Sequence, residues 1–117
     1  MQPLRSVLVA LSDRPDVSGV VVVSDDGLVV EASLPAGLDA EALAALATGA
    51  ARNVGGLSDA AQTGTWSQLA VEGGHGALVL QRLPTGGILL VLAARDGDLG
   101  NLLHDLRRHA PALVSLL

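Results

Sequence analysis

The sequence contains no cysteine, and its only aromatic residue is Trp66. Without cysteine the chain has no disulfide, no thiolate nucleophile and no thiolate metal ligand. With a single aromatic ring it also lacks the stacking platforms that proteins use to hold nucleic-acid bases. The core must therefore be built from Leu, Val, Ala and Ile.

Lysine is absent as well, so twelve acidic groups face only seven arginines and the net charge is −5. This balance disfavours nucleic acid or an anionic membrane surface as a partner, and a basic partner surface suits it better. Arginine without lysine also suggests a GC-rich, bacterial genome.

No apolar run reaches the roughly 20 residues needed to span a bilayer. The N-terminal segment MQPLRSVLVAL is read as a helix stripe and not as a secretion signal, since no small-residue cleavage site follows it. We expect a soluble, cytoplasmic protein whose 117 residues, 1–117, form a single domain.

The stretch 17–34 reads as a β-hairpin around which the rest is arranged. Asp25, Asp26 and Gly27 form its turn, in which glycine tolerates a positive φ. The first strand carries four consecutive valines, 20–23, and is apolar on both faces, which predicts an interior position. The second strand alternates, which is typical of a half-exposed edge strand.

Two helices are predicted on either side of this hairpin. The first covers about residues 3–12, with Pro3 in its first turn and a stripe ending at Leu8 and Leu11. The second begins at Ala40, capped by Asp39, and is rich in alanine. Its apolar repeat consists of Leu43, Leu46, Ala47, Ala50, Val54, Leu57 and Ala61. A second stripe of small residues consists of Ala42, Ala45, Gly49, Gly56 and Ala60.

The adjacent glycines Gly55 and Gly56 interrupt this helix pattern. Each costs about 1 kcal/mol relative to alanine inside a helix. They predict either a break or a place where another backbone approaches closely.

Three further strands are predicted at 65–72, 77–83 and 88–94, with a glycine-rich loop between the first two. The last strand is apolar on both faces. A final helix follows, capped by Asp98, with Leu99, Leu102, Leu103 and Leu106 on its buried stripe. Pro111 is expected to kink or end this helix, while Leu113, Leu116 and Leu117 could continue its stripe.

These elements assemble into an α+β sandwich. Joining the two doubly apolar strands predicts a five-stranded antiparallel sheet of order 2-1-5-4-3. The long helix would lie on one face and the N- and C-terminal helices on the other. One narrow helix cannot cover a sheet face of that width and its second stripe is also apolar, so we expect two copies to pair through the helix and edge strand 3.

The order of elements resembles the Roadblock family, which includes dynein light-chain Roadblock proteins and bacterial gliding-motility regulators. GVVVVSDDGLVVEAS is similar to the family's hairpin, VEGGHGALVL to its third-to-fourth strand turn, and LLVLAARDGDLGNLLHDLR to its fifth strand and helix entry. The resemblance implies a profilin-like fold and a module that regulates or scaffolds small Ras-like GTPases as a dimer. Whether the second subunit is another copy or a related chain stays open.

No constellation of residues supports catalysis, a cofactor or a metal. His104 and His109 are separated around a helix, His75 lies in a glycine-rich turn, and Asp96-Gly97-Asp98 lacks the remaining ligands of a calcium loop. No phosphate loop with Gly-Lys-Ser/Thr is present, and no serine lies in a nucleophile elbow. We therefore predict that the protein is not an enzyme.

The predicted dimer or partner interface comprises Ala42, Ala45, Gly49, Arg52, Gly56, Ala60, Trp66 and Gln68. Arg52 could insert into a GTPase's phosphate site, but a rim charge whose stem packs on alanines is preferred. Trp66 could pack in the core or anchor an interface.

Two functions remain in view. The preferred one is a non-enzymatic homodimeric regulator or scaffold of a small Ras-like GTPase. The alternative is a small-molecule sensor of profilin-like or PAS-like type. Its ligand would be enclosed between the long helix and the meander, which is formed by the three strands predicted at 65–72, 77–83 and 88–94.

Overall fold

The computed structural model describes residues 3–84 and 86–114, with side chains between residues 8 and 109. Within these residues the chain forms α1 (Pro3–Ser12), β1 (Val17–Val23), β2 (Val29–Ser33), α2 (Ala40–Ala61), β3 (Gln68–Gly73), β4 (Gly76–Arg82), β5 (Ile88–Ala93) and α3 (Leu99–Val114). The first helix has the predicted bounds. Its buried side includes Leu8 and Leu11, while the side chains of Leu4 and Val7 lie outside the described residues.

The five strands form one antiparallel sheet in the order β2-β1-β5-β4-β3. Helix α2 packs on one face, and α1 and α3 pack on the other. The predicted α+β architecture and strand order are confirmed.

The interior strand β1 contributes to two separate cores. Val20 and Val22 pack in the cluster beneath α1 and α3, whereas Val21 and Val23 pack in the cluster beneath α2. All four are fully buried. Because consecutive strand residues point to opposite faces, the run of valines fills both cores at once. The prediction of a strand covered on both sides is confirmed.

The edge strand β2 is joined to β1 by the predicted turn, in which Gly27 has a φ of 87°. The apolar residues that alternate along this segment are not all buried, since Leu28 is 64% exposed and Val30 42% exposed. An edge strand has a neighbour on one side only, so the side chains on both its faces stay partly in solvent.

The long helix α2 starts at the predicted cap. The Asp39 carboxylate accepts hydrogen bonds from the backbone N–H of Glu41 at 3.0 Å and of Ala42 at 3.2 Å. The helix runs unbroken through Gly55 and Gly56 to Ala61, which answers the question that these glycines raised. They do not end the helix.

The last helix α3 also begins as predicted, with Asp98 accepting a hydrogen bond from the Asn101 N–H at 3.0 Å. Leu102 and Leu106 are fully buried against the sheet. Pro111 does not end the helix, because α3 continues to Val114; the alternative of a kink stays a prediction. The side chain of Leu113 and all of Leu116 and Leu117 lie outside the described residues.

Strand β3 starts at Gln68, three residues later than the prediction of Thr65. The displaced segment carries Trp66, which packs in the core beneath α2 instead of extending the strand. At the other end of β3, Gly73 pairs with Gly76 across a tight turn. A Cβ on Gly76, whose φ is 150°, would lie 2.7 Å from the Ala93 carbonyl oxygen, so only glycine fits there.

Among the described residues, no helix is long and apolar enough to cross a membrane.

Candidate functional site

The inward side of α2 is made of small residues. Ala44 is 1% exposed and Ala47 6%, and Leu43 and Ala51 pack beside them on the sheet. Alanines let the helix axis lie close to the sheet, since no bulky side chain separates the two layers.

The opposite side of α2 is an exposed apolar surface, which we call the outer stripe. It consists of Ala42, Ala45, Leu46, Gly49, Asn53, Gly56, Leu57 and Ala60. These residues recur at helical spacing along about 27 Å of the helix, and none of them carries a charge. Leu46 is 73% exposed and Leu57 69% exposed. A solvent-facing helix side is normally polar, so this stripe is suited to contact with another protein.

The sequence pattern placed Leu46 and Leu57 in the same repeat as Leu43 and Ala47, and this grouping was wrong. Leu46 and Ala47 are about 100° apart around the helix axis, and only Ala47 is turned to the sheet, with an exposed fraction of 6% against 73% for Leu46. In an alanine-rich helix either side is apolar enough to be buried, so the hydrophobic pattern alone does not select the side that faces the sheet.

Gly49 and Gly56 lie in this stripe with open space around them. A Cβ added to either would meet no atom of the described chain within 4 Å. Neither glycine is therefore required by the packing of its own subunit, although each lowers the stability of the helix.

Strand β3 forms one of the two edges of the sheet. It pairs with β4 alone, so its outer backbone groups face away from the sheet. Helix α2 packs over β1, β2 and β5, and Val71 on β3 is 47% exposed. An apolar strand edge open in this way is a template for pairing with another chain.

The other predicted interface residues lie around these surfaces. Arg52 is exposed on the flank of α2 beside the outer stripe. Trp66 is half-buried, and its indole Nε1 lies 4.0 Å from the position of a Cβ on Gly55. Gln68 instead faces α3, where its Nε2 donates to Gln81 Oε1 at 2.7 Å and to the Leu103 carbonyl oxygen at 2.8 Å. The structure thus groups the small residues and Arg52 on α2, but it directs the Gln68 side chain to the opposite face of the sheet.

Sequence reasoning missed Leu46, Asn53 and Leu57 as members of the outer surface. The signal was present, because each lies three or four residues from a glycine or alanine of the small-residue stripe. Sorting the helix by angle instead of by hydrophobicity would have found them. Val71 was missed for a different reason, since its exposure depends on where α2 crosses the sheet.

The strongest electrostatic cluster lies away from α2. Arg14 forms a bidentate pair with Asp16, at 2.9 and 2.8 Å, and contacts Asp105 of α3 at 2.7 Å. The hydrogen bonds from Arg14 lower the pKa of both carboxyl groups and raise the pKa of the guanidinium itself. The cluster ties the α1–β1 loop to α3 and has a structural role.

The histidines singled out in the sequence lie apart from one another. His75, His104 and His109 are all exposed. Among the described residues, no three His, Cys, Asp or Glu side chains are grouped so that they could hold a metal ion. The absence of a metal site stays a prediction.

Residues 4–93 match the family model described as the Roadblock/LC7 domain. A protein of Methanocaldococcus jannaschii is 32% identical over 111 residues, which cover 94% of this chain and 96% of that protein. The crystal structure of a Roadblock/LC7 domain from Streptomyces avermitilis aligns with a TM-score of 0.75 and 28% identity, covering 97% of this chain and 98% of the other. MglB of Myxococcus xanthus aligns with a TM-score of 0.84 at 18% identity, covering 98% and 90%.

Proposed function

Because the chain belongs to the Roadblock/LC7 family, we propose that it is a non-enzymatic homodimeric regulator or scaffold that binds a small Ras-like GTPase in the cytoplasm. The observations that carry this proposal are the outer stripe of α2, which is mostly apolar, uncharged and exposed, and the open edge of β3. Such a surface is built for a protein partner and not for a small substrate.

The first partner of this surface is a second copy of the chain. A twofold axis beside α2 brings each stripe against itself, so that leucines of one subunit meet the small residues of the other. Burying Leu46 and Leu57 of both subunits contributes about 6–8 kcal/mol at roughly 1.5–2 kcal/mol per leucine. That gain only matches the cost of association, about 4–15 kcal/mol. Backbone pairing between β3 strands and close contact at Gly49 and Gly56 would supply the remainder.

The dimer is tested by light scattering on a size-exclusion column. We expect the wild-type protein to elute with twice the chain mass of 11.8 kDa. The double variant Leu46→Glu, Leu57→Glu places carboxylates on exposed positions of the stripe, so it should fold but weaken the dimer at least about 100-fold. Val9→Glu is the matched control, because Val9 is 51% exposed on α1 and far from the stripe. A monomeric wild-type protein at micromolar concentration would contradict the proposal.

The second partner is a small Ras-like GTPase, as the family resemblance implies. The paired α2 helices would contact the GTPase and reposition its own switch residues without donating a catalytic group. Calorimetric titration with the purified GTPase of the source organism, loaded with GDP or with a non-hydrolysable GTP analogue, tests this step. We expect one nucleotide state to bind at least about tenfold more tightly, and the Leu46→Glu, Leu57→Glu variant to lose binding. Equal or absent binding in both states would refute GTPase regulation.

A variant of Arg52 distinguishes a non-enzymatic regulator from one that donates an arginine to the active site of the GTPase. An inserted arginine accelerates GTP hydrolysis about 10³- to 10⁵-fold. We expect Arg52→Ala to leave the GTPase's hydrolysis rate in the complex within about twofold, since Arg52 lies on the flank of the stripe. Loss of stimulation in this variant, with binding retained, would make Arg52 a catalytic contribution.

The alternative of an enclosed small-molecule sensor finds no support in the packing. The space between α2 and the meander is filled by Trp66, Leu69, Leu80 and Leu90. A core packed in this way does not enclose a ligand between the helix and the strands.

A further inference from the structure

A small cleft opens beside the outer stripe, where three distant parts of the chain meet. The β1–β2 turn forms one wall, the middle of α2 forms another, and the segments flanking β3 and β5 form the floor. The residues of its lining that carry hydrogen-bonding groups are Ser24, Asp25, Thr48, Arg52, Trp66 and Arg82. The cleft has a volume of about 170 Å³.

Three side chains of this lining donate hydrogen bonds but have no acceptor in the described part of the chain. Arg14 elsewhere in the molecule is saturated by two carboxylates. By contrast, neither the guanidinium of Arg52 nor that of Arg82 forms an ion pair or hydrogen bond within the described chain. The indole N–H of Trp66 is likewise without an acceptor there. Arginine and tryptophan side chains can only donate, so water or a bound ligand must supply the acceptors for all three.

The remaining polar groups of the cleft do not supply those acceptors. The Thr48 hydroxyl donates to the Ala44 carbonyl oxygen at 2.8 Å. The Ser24 hydroxyl is engaged by Asp26 and by the backbone of Leu28. Asp25 is the one carboxylate among the described residues of the lining, so two positive charges face one negative charge there. This local excess of positive charge stands out on a chain with a net charge of −5.

We propose that this cleft is a binding site for a small phosphate-bearing molecule. Guanidinium groups present forked donors that match the oxygens of a phosphate, and two of them line the same cleft. The indole offers a flat apolar surface for the organic part of the ligand together with one more donor. A cleft of 170 Å³ is below the usual size of a drug-binding pocket, about 300–1,000 Å³, so it holds the phosphate while the rest of the ligand projects into solvent.

This site goes beyond the proposed GTPase regulation and does not depend on it. It lies on the flank of α2 and not in the outer stripe, so a monomeric variant would keep it. Loss of the dimer with the binding site intact, or the reverse, therefore separates the two proposals.

Trp66 provides a direct readout, because it is the only tryptophan and gives one indole N–H resonance. Phenyl phosphate and inorganic phosphate serve as probes, with phenol as the uncharged analogue, in two-dimensional ¹H–¹⁵N spectra at constant ionic strength. We expect phenyl phosphate to shift the indole signal saturably and more tightly than inorganic phosphate. Phenol should not shift it saturably at the same concentrations.

Variants that each remove one charge then show which side chains contact the phosphate. Arg52→Gln and Arg82→Gln should each weaken phenyl phosphate binding at least about tenfold. Asp25→Asn should tighten it a few-fold, since it removes the opposing carboxylate. Arg107→Gln, on the exposed side of α3, is the matched control and should change nothing.

Three results would overturn the proposal. The first is an indole shift that rises linearly with phenyl phosphate and does not saturate. The second is an equal indole shift with phenol. The third is an equal loss of phenyl phosphate affinity in Arg107→Gln, which would mean that overall charge attracts the ligand. Arg82 is half-buried, so if its variant fails to fold, the exposed Arg52 and Asp25 variants still decide the outcome through their opposite expected effects.

Discussion

At the scale of single residues, Arg14 joins two distant parts of the chain. Its guanidinium holds Asp16 at the start of β1 and Asp105 on α3, 91 positions away. A bidentate pair with a second carboxylate is stronger than an ordinary surface ion pair, because the geometry is fixed and the groups are partly shielded from water. Arg14 therefore helps to set the position of α3 on the sheet.

Replacing Arg14 by Gln should produce a pH-dependent loss of stability. Arg14 lowers the pKa of both carboxyl groups in the folded state. The stabilisation is therefore complete above the unfolded pKa, about 3.9, and is lost as the pH falls through the folded-state pKa. We expect the thermal midpoint of Arg14→Gln to be lower by about 4 °C at pH 7 and to approach that of the wild type as the pH falls through the lowered folded-state pKa of the two carboxyl groups.

Thermal unfolding followed by circular dichroism from pH 2.5 to pH 8 measures this difference. Arg95→Gln is the control, since Arg95 is exposed and forms no ion pair in the described part of the chain. A difference between Arg14→Gln and the wild type that stays constant across the whole pH range would show that the carboxylates are not involved.

At the scale of elements, α2 begins with a well-formed N-cap and contains two adjacent glycines in its second half. Asp39 satisfies two of the backbone N–H groups that a helix leaves unpaired at its first turn. The two adjacent glycines, Gly55 and Gly56, lower the propensity of the same helix close to its end at Ala61, yet the helix remains continuous. Packing on the sheet and a good cap outweigh the low propensity of the glycines.

Removing the cap should lower stability by about 1 kcal/mol. Asp39→Ala leaves the Glu41 and Ala42 N–H groups without their side-chain acceptor, whereas Asp39→Asn retains an oxygen in the same place. Urea unfolding of the two variants at neutral pH makes the comparison. Equal destabilisation by alanine and asparagine would attribute the effect to the lost charge and not to the hydrogen bonds.

The adjacent glycines offer a matched pair that tests the interface. Gly55 faces inward, with only the Trp66 indole at 4.0 Å, whereas Gly56 faces outward into open space. Within one subunit, each Gly→Ala change should stabilise the helix by about 0.5–1 kcal/mol. If the helix of a second copy lies against the stripe, the extra methyl of Gly56→Ala should also raise the dimer dissociation constant about tenfold.

Analytical ultracentrifugation of both variants gives the dissociation constants. Gly55→Ala is expected to keep the wild-type value. Two unchanged dissociation constants would mean that no backbone approaches α2 at Gly56, and the close helix contact would have to be abandoned.

At the scale of the whole molecule, stability should depend on protein concentration. A dimer buries apolar surface that the isolated subunit leaves in water, so mass action favours the folded dimer at high concentration. We expect the thermal midpoint to rise by about 3 °C for each tenfold increase in wild-type concentration. The Leu46→Glu, Leu57→Glu variant should unfold at the same temperature throughout, as measured by scanning calorimetry. A wild-type midpoint independent of concentration would argue for a stable monomer.

The elements and their order could be predicted because their signals are local. Four consecutive valines mark a strand covered on both faces, Asp39 and Asp98 mark helix starts, and Gly27 marks a turn. Two doubly apolar strands must be shielded by neighbours, and this requirement, together with the pairing of consecutive strands in the hairpin β1–β2 and in β3–β4–β5, leads to the observed strand order. These inferences need only the spacing of residues along the chain.

The surfaces were decided by the tertiary structure. Both sides of α2 are apolar, so only its fit to the sheet determines that Ala44 and Ala47 face inward and that Leu46 and Leu57 face outward. The cleft joins Arg52 and Arg82, thirty positions apart, through the meeting of a helix and a strand end. Burial and proximity depend on how layers are placed against one another, and the periodicity of a single element carries no information about that placement.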